Sequence, residues 1–212
     1  MKRQDSHSLN RRGWIVTVEG VDAVGKRTQS LLLQKWLEKQ SFKVASLSFP
    51  AYETPIGKEI KAFLAGKRAF QAEVRHMLFA ANRWEKLELI KEFQSENDVI
   101  IINRYTESNM AYGAAHGLRL QWLVGLEEGL PKSNLVLVLD APSKSLVSRR
   151  PGVKDAYEKD DALQDRVQAL YKELAPRFGW KVIDGSGSVR QVHESIIKAV
   201  KGNLTLERGA KA

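Results

Sequence analysis

The sequence predicts an α/β fold in three layers, with a five-stranded parallel sheet flanked by helices. Three observations carry this. Apolar strand-like runs alternate with segments of helical periodicity, the pattern of a parallel sheet covered on both faces. The first such run leads through a loop bounded by Gly20 and Gly25 to Lys26 and a helix, a setting suited to binding phosphate. Gly20, Tyr52, Arg104, Asp140 and Asp184 all fall at or just after strand ends, where ligands of such sheets bind.

The elements follow in order. Trp14 to Val18 reads as a buried strand and Glu19 to Thr28 as the loop. A helix carrying Leu31, Leu32, Leu33, Trp36 and Leu37 comes next. Lys43 to Phe49 is the second strand, ended by Pro50. A loop to Gly57 precedes a helix to Leu64, with Ile60, Phe63 and Leu64 on one face and Gly66 closing it. Ala72 to Phe93 reads as one long helix. Asp98 to Ile102 is a strand ending in Asn103-Arg104-Tyr105, and a helix runs from near Ser108 through Tyr112 to His116. Trp122 and Leu126 mark a short helix before Gly129 and Pro131. Leu135 to Asp140 is the clearest strand. Lys144 to Arg149 is a short helix, and Arg149 to Lys154 a basic loop rich in breakers. Asp161 to Phe178 is helical, with Leu163, Val167, Leu170 and Leu174 at helix spacing. Lys181 to Asp184 is the last strand, and Val192 to Val200 the last helix.

Gly20 and Gly25 permit backbone angles that a Cβ would block, so the loop between them can aim successive amides at one anion. The following helix adds its positive dipole end, and Lys26 a mobile charge for the β and γ phosphates. The pattern G-x-x-x-x-G-K-[ST] places a hydroxyl after the lysine as a Mg2+ ligand. Here Arg27 holds that position, with Thr28 one step later. A guanidinium has no lone pair to give a metal.

At 212 residues and 43% hydrophobic, the chain is long enough for one α/β domain with a full core. It has no cysteine, no membrane-spanning apolar run and a polar, basic N-terminus, from which a cytoplasmic location is expected. The net charge is +9, and the tails hold about half of it. Met1 to Arg12 carries Lys2, Arg3, Arg11 and Arg12 against Asp5. Lys201 to Ala212 carries Lys201, Arg208 and Lys211 against Glu207. Such tails are usually solvated and support at most a salt-sensitive, non-specific attraction to nucleic acid. The expected organisation is a flexible tail over 1–12, one domain over 13–201 with a lid at about 149–158, and a second flexible tail over 202–212.

Several stretches together resemble the thymidylate kinase family. They are Glu19 to Gln29, Phe49-Pro50, Ala81-Asn82-Arg83-Trp84-Glu85, Arg104-Tyr105 with Ser108 and Tyr112-Gly113-Ala114, Pro131-Lys132, and Tyr157-Glu158. Their spacing matches as well, and the resemblance covers about Trp14 to Ser186. It implies a P-loop kinase fold that transfers a phosphoryl group from ATP to dTMP with Mg2+. ATP would lie on Gly20, Val21, Asp22, Ala23, Val24, Gly25, Lys26, Arg27 and Thr28, with Arg149 above it. The acceptor would lie against Asp22, Phe49, Tyr52, Phe79, Arg83, Arg104, Tyr112 and Tyr157. Within that set the resemblance makes Phe79 the ring stacked on thymine and Arg83 the reader of the base edge. Arg104 would hold the monophosphate, Tyr112 crowd a 2′-hydroxyl, and Asp22 hold the sugar 3′-hydroxyl. Lys26, Arg104, Arg149 and Arg150 would carry the catalytic charge, since one branch of the family has a loop arginine where this chain has Ala23 and the other puts its basic residues in the lid. Dimerisation through apolar helix faces is expected from the family alone.

Two departures touch the metal. Arg27 replaces the hydroxyl, and Asn103 replaces the aspartate of the family's Asp-Arg-Tyr triplet. Tyr52 stands where many relatives have an arginine. Thr28 or Glu19 is left to recruit Mg2+. Three readings stand: an active dTMP kinase with an altered metal shell, a degenerate paralogue that binds nucleotides but transfers phosphate poorly, and a non-enzymatic nucleic-acid binder.

Overall fold

The computed structural model describes residues 12–142, 157 and 160–208. Five strands form one sheet: β1 (Trp14–Glu19), β2 (Val44–Ser48), β3 (Val99–Asn103), β4 (Leu135–Asp140) and β5 (Lys181–Asp184). Their order is β2-β3-β1-β4-β5, and every neighbouring pair is parallel. The described helices are α1 (Lys26–Lys39), α2 (Pro55–Leu64), α3 (Ala72–Trp84), α4 (Leu87–Glu96), α5 (Thr106–Ala115), α6 (Leu120–Leu126), α7 (Asp161–Phe178) and α8 (Val189–Arg208).

The three inner strands are buried almost throughout, whereas β2 and β5 at the edges are partly exposed. Alternate residues of β3 serve different clusters, as the two-residue period of a strand requires. Val99 and Ile101 join Trp14, Val16, Leu33 and Leu37. Ile100 and Ile102 pack with Ile15, Ile90 and Tyr105. Register sets β1 beside both β3 and β4, with Val16 opposite Ile101 and Leu135. The carboxyl end of β1 therefore opens at the centre of the sheet, between the ends of its two neighbours.

The structure corrects the sequence in three places. The helix expected over Ala72 to Phe93 is two helices, broken at Glu85-Lys86. Side chains near the break bond elsewhere, so tertiary partners override local propensity. Asn82 Oδ1 accepts from Ala51 N at 2.8 Å, Glu85 Oε1 accepts from Ile56 N at 3.1 Å, and Trp84 Nε1 donates to Leu126 O at 3.0 Å. The first two bonds fix the Ala51–Ile56 loop against the end of α3 and the third ties α3 to the end of α6, while beyond the break α4 packs Ile90 with Ile15 and Ile100. The helix expected from Gly57 starts at Pro55, with Thr54 as its cap: Thr54 Oγ1 accepts from Gly57 N at 3.0 Å. The last helix starts three residues before Val192 and runs on to Arg208, into the stretch expected to be a tail. Val192, Ile196 and Val200 bury its stripe, and each further residue adds one backbone bond to a helix already nucleated.

Candidate functional site

The loop after β1 follows the course its glycines allow. Gly20 has φ +131°, and a Cβ there would lie 2.5 Å from the carbonyl oxygen of Leu139. Gly25 has φ +101° and leads into α1. Lys26 is buried, with Nζ donating to Val21 O at 2.8 Å and lying 3.8 Å from Asp22 Oδ1.

Arg104 closes β3 in the left-handed region, with φ +61°. That backbone turns the guanidinium towards the loop, where it pairs with Asp22 through Nη2. The same nitrogen donates to Tyr112 Oη at 3.3 Å, Nη1 reaches Ser108 Oγ at 3.4 Å, and the guanidinium lies 5.2 Å from the Tyr112 ring centroid. Burial pushes the Asp22 carboxyl up. The charges of Arg104 and Lys26, with hydrogen bonds from Arg104 and Gln164, outweigh it and bring the pKa down to about 2. Asp22 is thus an anion throughout the physiological range. Beneath it, Glu19 is fully buried and accepts from Tyr105 N at 2.7 Å, Ser108 Oγ at 2.5 Å and Tyr171 Oη at 2.7 Å. It anchors the start of α5 to the end of β1.

Two cavities open here. The first, about 680 Å3, is walled by Phe49, Pro50, Tyr52, His76, Phe79, Arg83, Asn109, Tyr112 and Tyr157 among others. Tyr157 stacks on Tyr112 with centroids 5.8 Å apart and planes at 14°, and lies 6.2 Å from Phe79. Phe79 and Arg83 share this wall, as their four-residue spacing on a helix requires. Arg83 is held by a partner the sequence did not suggest: Nε and Nη2 grip Glu127 as a fork, and both residues are buried. Asn109 Nδ2 also donates to Glu127, at 2.7 Å. Its Oδ1 then accepts from His76 Nδ1 at 2.6 Å, leaving His76 Nε2 to accept from His116 Nδ1 at 3.0 Å. Burial lowers the pKa of both histidines to about 4, so both are neutral at pH 7.

The second cavity, about 770 Å3, is lined by Asp22 to Gln29 on one side and by Gly185, Gly187, Ser188, Val189 and Val192 on the other. This second wall is the β5–α8 connection. Its glycines after a strand end were the available signal. Asp22, Arg27, Asn103 and Arg104 line both cavities and form the seam between them.

The comparisons with known proteins agree with this geometry. A family model described as thymidylate kinase matches residues 18–196. The chain belongs to the thymidylate kinase family. It is 36% identical to the thymidylate kinase of Homo sapiens over 189 residues, covering 88% of this chain and 89% of that protein. It is 32% identical to that of Dictyostelium discoideum over 194 residues, covering 91% and 87%. A solved thymidylate kinase structure from Candida albicans superposes with a TM-score of 0.81 at 27% identity, covering 91% of this chain and 92% of that one.

The eight residues that the resemblance assigns to the acceptor all line the first cavity. Residues 20 and 21 aside, the loop residues expected to hold ATP line the second. Arg149, Arg150, Lys154 and the lid, apart from Tyr157, lie outside the described residues, as does the helix expected over Lys144 to Arg149. Gln164 was missed. Its Nε2 donates to Asp22 Oδ2 and to Tyr157 O, both at 3.0 Å, and its Oε1 accepts from Asp22 N at 3.1 Å. A glutamine next to Leu163 on the buried stripe of α7 was the signal.

The family's reaction generally uses Mg2+, and the residues at its expected positions do not fit a protein-held ion. Arg27 has no lone pair, and Asn103 brings a neutral amide. Asp22 is paired with Arg104, Asp140 accepts from Gln168 at 2.6 Å and lies 2.9 Å from Lys172, and Glu19 is taken by three donors. Thr28 on the second cavity wall keeps its hydroxyl. Among the described residues, no three acidic or histidine side chains gather where they would hold a metal.

Proposed function

We propose that this chain transfers the γ-phosphoryl group of ATP to dTMP, giving dTDP and ADP. The observation that carries the reading is the seam. A cavity walled by aromatic rings and Arg83 meets a glycine-bounded loop cavity at Arg104, Arg27, Asp22 and Asn103. Two nucleotides lying one in each cavity would meet phosphate to phosphate. The first cavity takes the acceptor: Phe79 stacks on the base, Arg83 reads its edge, Tyr112 packs on the sugar and Arg104 holds the monophosphate. The second takes ATP, with Lys26 and the backbone amides of residues 20–28 on its phosphates. Phosphoryl transfer asks a protein mainly for alignment and fixed positive charge, and the seam supplies both.

The comparisons favour this reading over a degenerate paralogue, for the relatives that match over nearly the whole chain are thymidylate kinases. A nucleic-acid binder would leave both cavities without a use. No described helix is long and apolar enough to cross a membrane; the reading places the reaction in the cytoplasm. A homodimer is part of the reading, supported by the exposed Val74, Met77 and Trp84 of α3 and Val124 of α6. Residues 13–201 are taken as one kinase domain whose lid includes Arg149 and Arg150. A coupled ADP-release assay with dTMP and Mg·ATP tests the function. Turnover dependent on dTMP is expected. Binding of both nucleotides without turnover would favour the degenerate reading.

A further inference from the structure

We propose that Arg27 is a catalytic cation of this reaction, bridging the donor γ-phosphate and the acceptor phosphate where a protein-held metal would otherwise neutralise them. The inference rests on the dTMP kinase reading. Its starting point is the misfit between this seam and a metal site.

The charges at the seam are unequal in what they are free to do. Arg104 is matched by Asp22. Lys26 donates to Val21 O and lies near the same aspartate. Arg27 is exposed on the first turn of α1, and among the described residues its guanidinium has neither an ion pair nor a hydrogen bond. It lines both cavities, so its five-donor fork faces the gap that the two phosphates would share. Opposite it, Asn103 Nδ2 donates to Ser48 Oγ at 3.0 Å, while its buried Oδ1 has no partner. An aspartate at 103 would set a negative charge on the seam that Arg27 also lines. Asparagine keeps the shape and leaves the arginine unmatched. The two departures act in one direction: one removes a negative charge, the other adds a positive one. Together they raise the charge of the seam by two, the charge of the divalent ion whose ligands they replace.

In the transfer itself, an oxygen of the dTMP dianion forms a bond to the γ-phosphorus while the bond from that phosphorus to the β,γ-bridging oxygen breaks. ADP leaves with the electron pair, and no proton need move. The charge that gathers on the three equatorial oxygens during this exchange lies within reach of Arg27 from the α1 side and of Arg104 from the β3 side.

The test compares the wild type with Arg27→Ser, Arg27→Lys and the double variant Arg27→Ser/Asn103→Asp. Calorimetry first measures ATP affinity with Mg2+ and in EDTA. The wild type is expected to bind metal-free ATP within about threefold of Mg·ATP, and Arg27→Ser to lose at least ~10-fold for the metal-free form, because fixed positive charge is what holds it. Turnover of dTMP at saturating Mg·ATP should fall at least ~10²-fold in Arg27→Ser, with Arg27→Lys between. The double variant should regain part of that rate with a steep new Mg2+ dependence. If Arg27→Ser turns over as fast as the wild type and binds metal-free ATP equally well, Arg27 is a bystander and the inference fails alone. If the wild type makes no dTDP from dTMP and Mg·ATP, the kinase reading fails and takes the inference with it.

Discussion

The two cavities meet at four residues but are built by different means. The acceptor cavity is a wall of side chains, each held by another: Arg83 by Glu127, Glu127 by Asn109, Asn109 by His76, and Tyr112 by Tyr157. The proposed donor cavity is edged by a glycine-bounded loop, with Gly25, Gly185 and Gly187 on its wall beside the first turn of α1. A site made of interlocked side chains selects by shape, since each neighbour fixes the next. A loop of amides binds any chain of phosphates, because every peptide unit offers the same donor. On the proposed assignment, selectivity for the nucleotide belongs to the acceptor side, and the donor side contributes charge and alignment.

The seam is where this contrast is most easily broken. Arg104→Met removes the guanidinium that faces both cavities and leaves Asp22 short of its main partner. A fall of about 10²–10³ in kcat/KM for dTMP is expected, the size seen when a preorganised donor to developing charge is lost. Steady-state kinetics at varied dTMP and fixed ATP reads it. A loss confined to the KM for ATP would assign Arg104 to the donor side and overturn the division between the two cavities.

Glu127 tests whether the acceptor wall is one interlocked unit. Glu127→Ala leaves the buried Arg83 charge unpaired, and destabilisation of about 3–5 kcal/mol is expected, visible in the urea midpoint. The paired replacement Arg83→Met with Glu127→Leu should recover most of that stability, since apolar residues of like volume replace buried ion pairs at little cost. It should still lose selectivity for dTMP. Equal destabilisation by both variants would mean that packing, and not the charge pair, holds the wall.

Acid should separate the two regions as well. Neutral His76 and His116, with pKa values lowered to about 4, sit on the acceptor side. A group depressed in the fold contributes stability that is fully present above its unfolded pKa of roughly 6.5 and is lost as pH falls through the folded value. Amide protection in α3 and α5, taken relative to intrinsic exchange, should therefore fall between pH 6.5 and 4, while α1 and α8 hold theirs. The Asp22 carboxylate, at about 2 against an ordinary 3.8, adds its loss only below pH 4. Uniform loss of protection across the sheet would put the acid-sensitive groups elsewhere.

How much of this the sequence showed follows from the same contrast. All five strands, the loop and Lys26 were legible, because apolar runs and glycine spacing are local signals. The resemblance supplied Phe79, Arg83, Arg104 and Tyr112. What stayed hidden depends on contacts between residues far apart in the chain. The break between α3 and α4 rests on bonds from Asn82 and Glu85 to the loop around Ala51 and Ile56. The Arg83–Glu127 pair spans 44 positions, and nothing in the pattern around Glu127 marks it as buried.

Gln164 carries the smallest of the expected effects and joins the two regions most directly. One side-chain amide holds Asp22, on the donor loop, and the backbone of Tyr157, on the acceptor wall. Gln164→Met keeps the volume and buries no new charge, so the fold should survive with a loss of only about 1–2 kcal/mol. Asp22 loses one donor and keeps Arg104 and Lys26, so its charge persists. What the variant removes is the tie between the sites. In the wild type, ATP on the loop and dTMP under Tyr157 should favour each other's binding by a few fold, since both rest on one hydrogen-bonded residue. In Gln164→Met each nucleotide alone should bind nearly as before, and the mutual enhancement should fall towards one. Calorimetric titration of dTMP with and without a non-hydrolysable ATP analogue measures this coupling, which must be reciprocal. Undiminished coupling in the variant would place the connection in Arg104 alone.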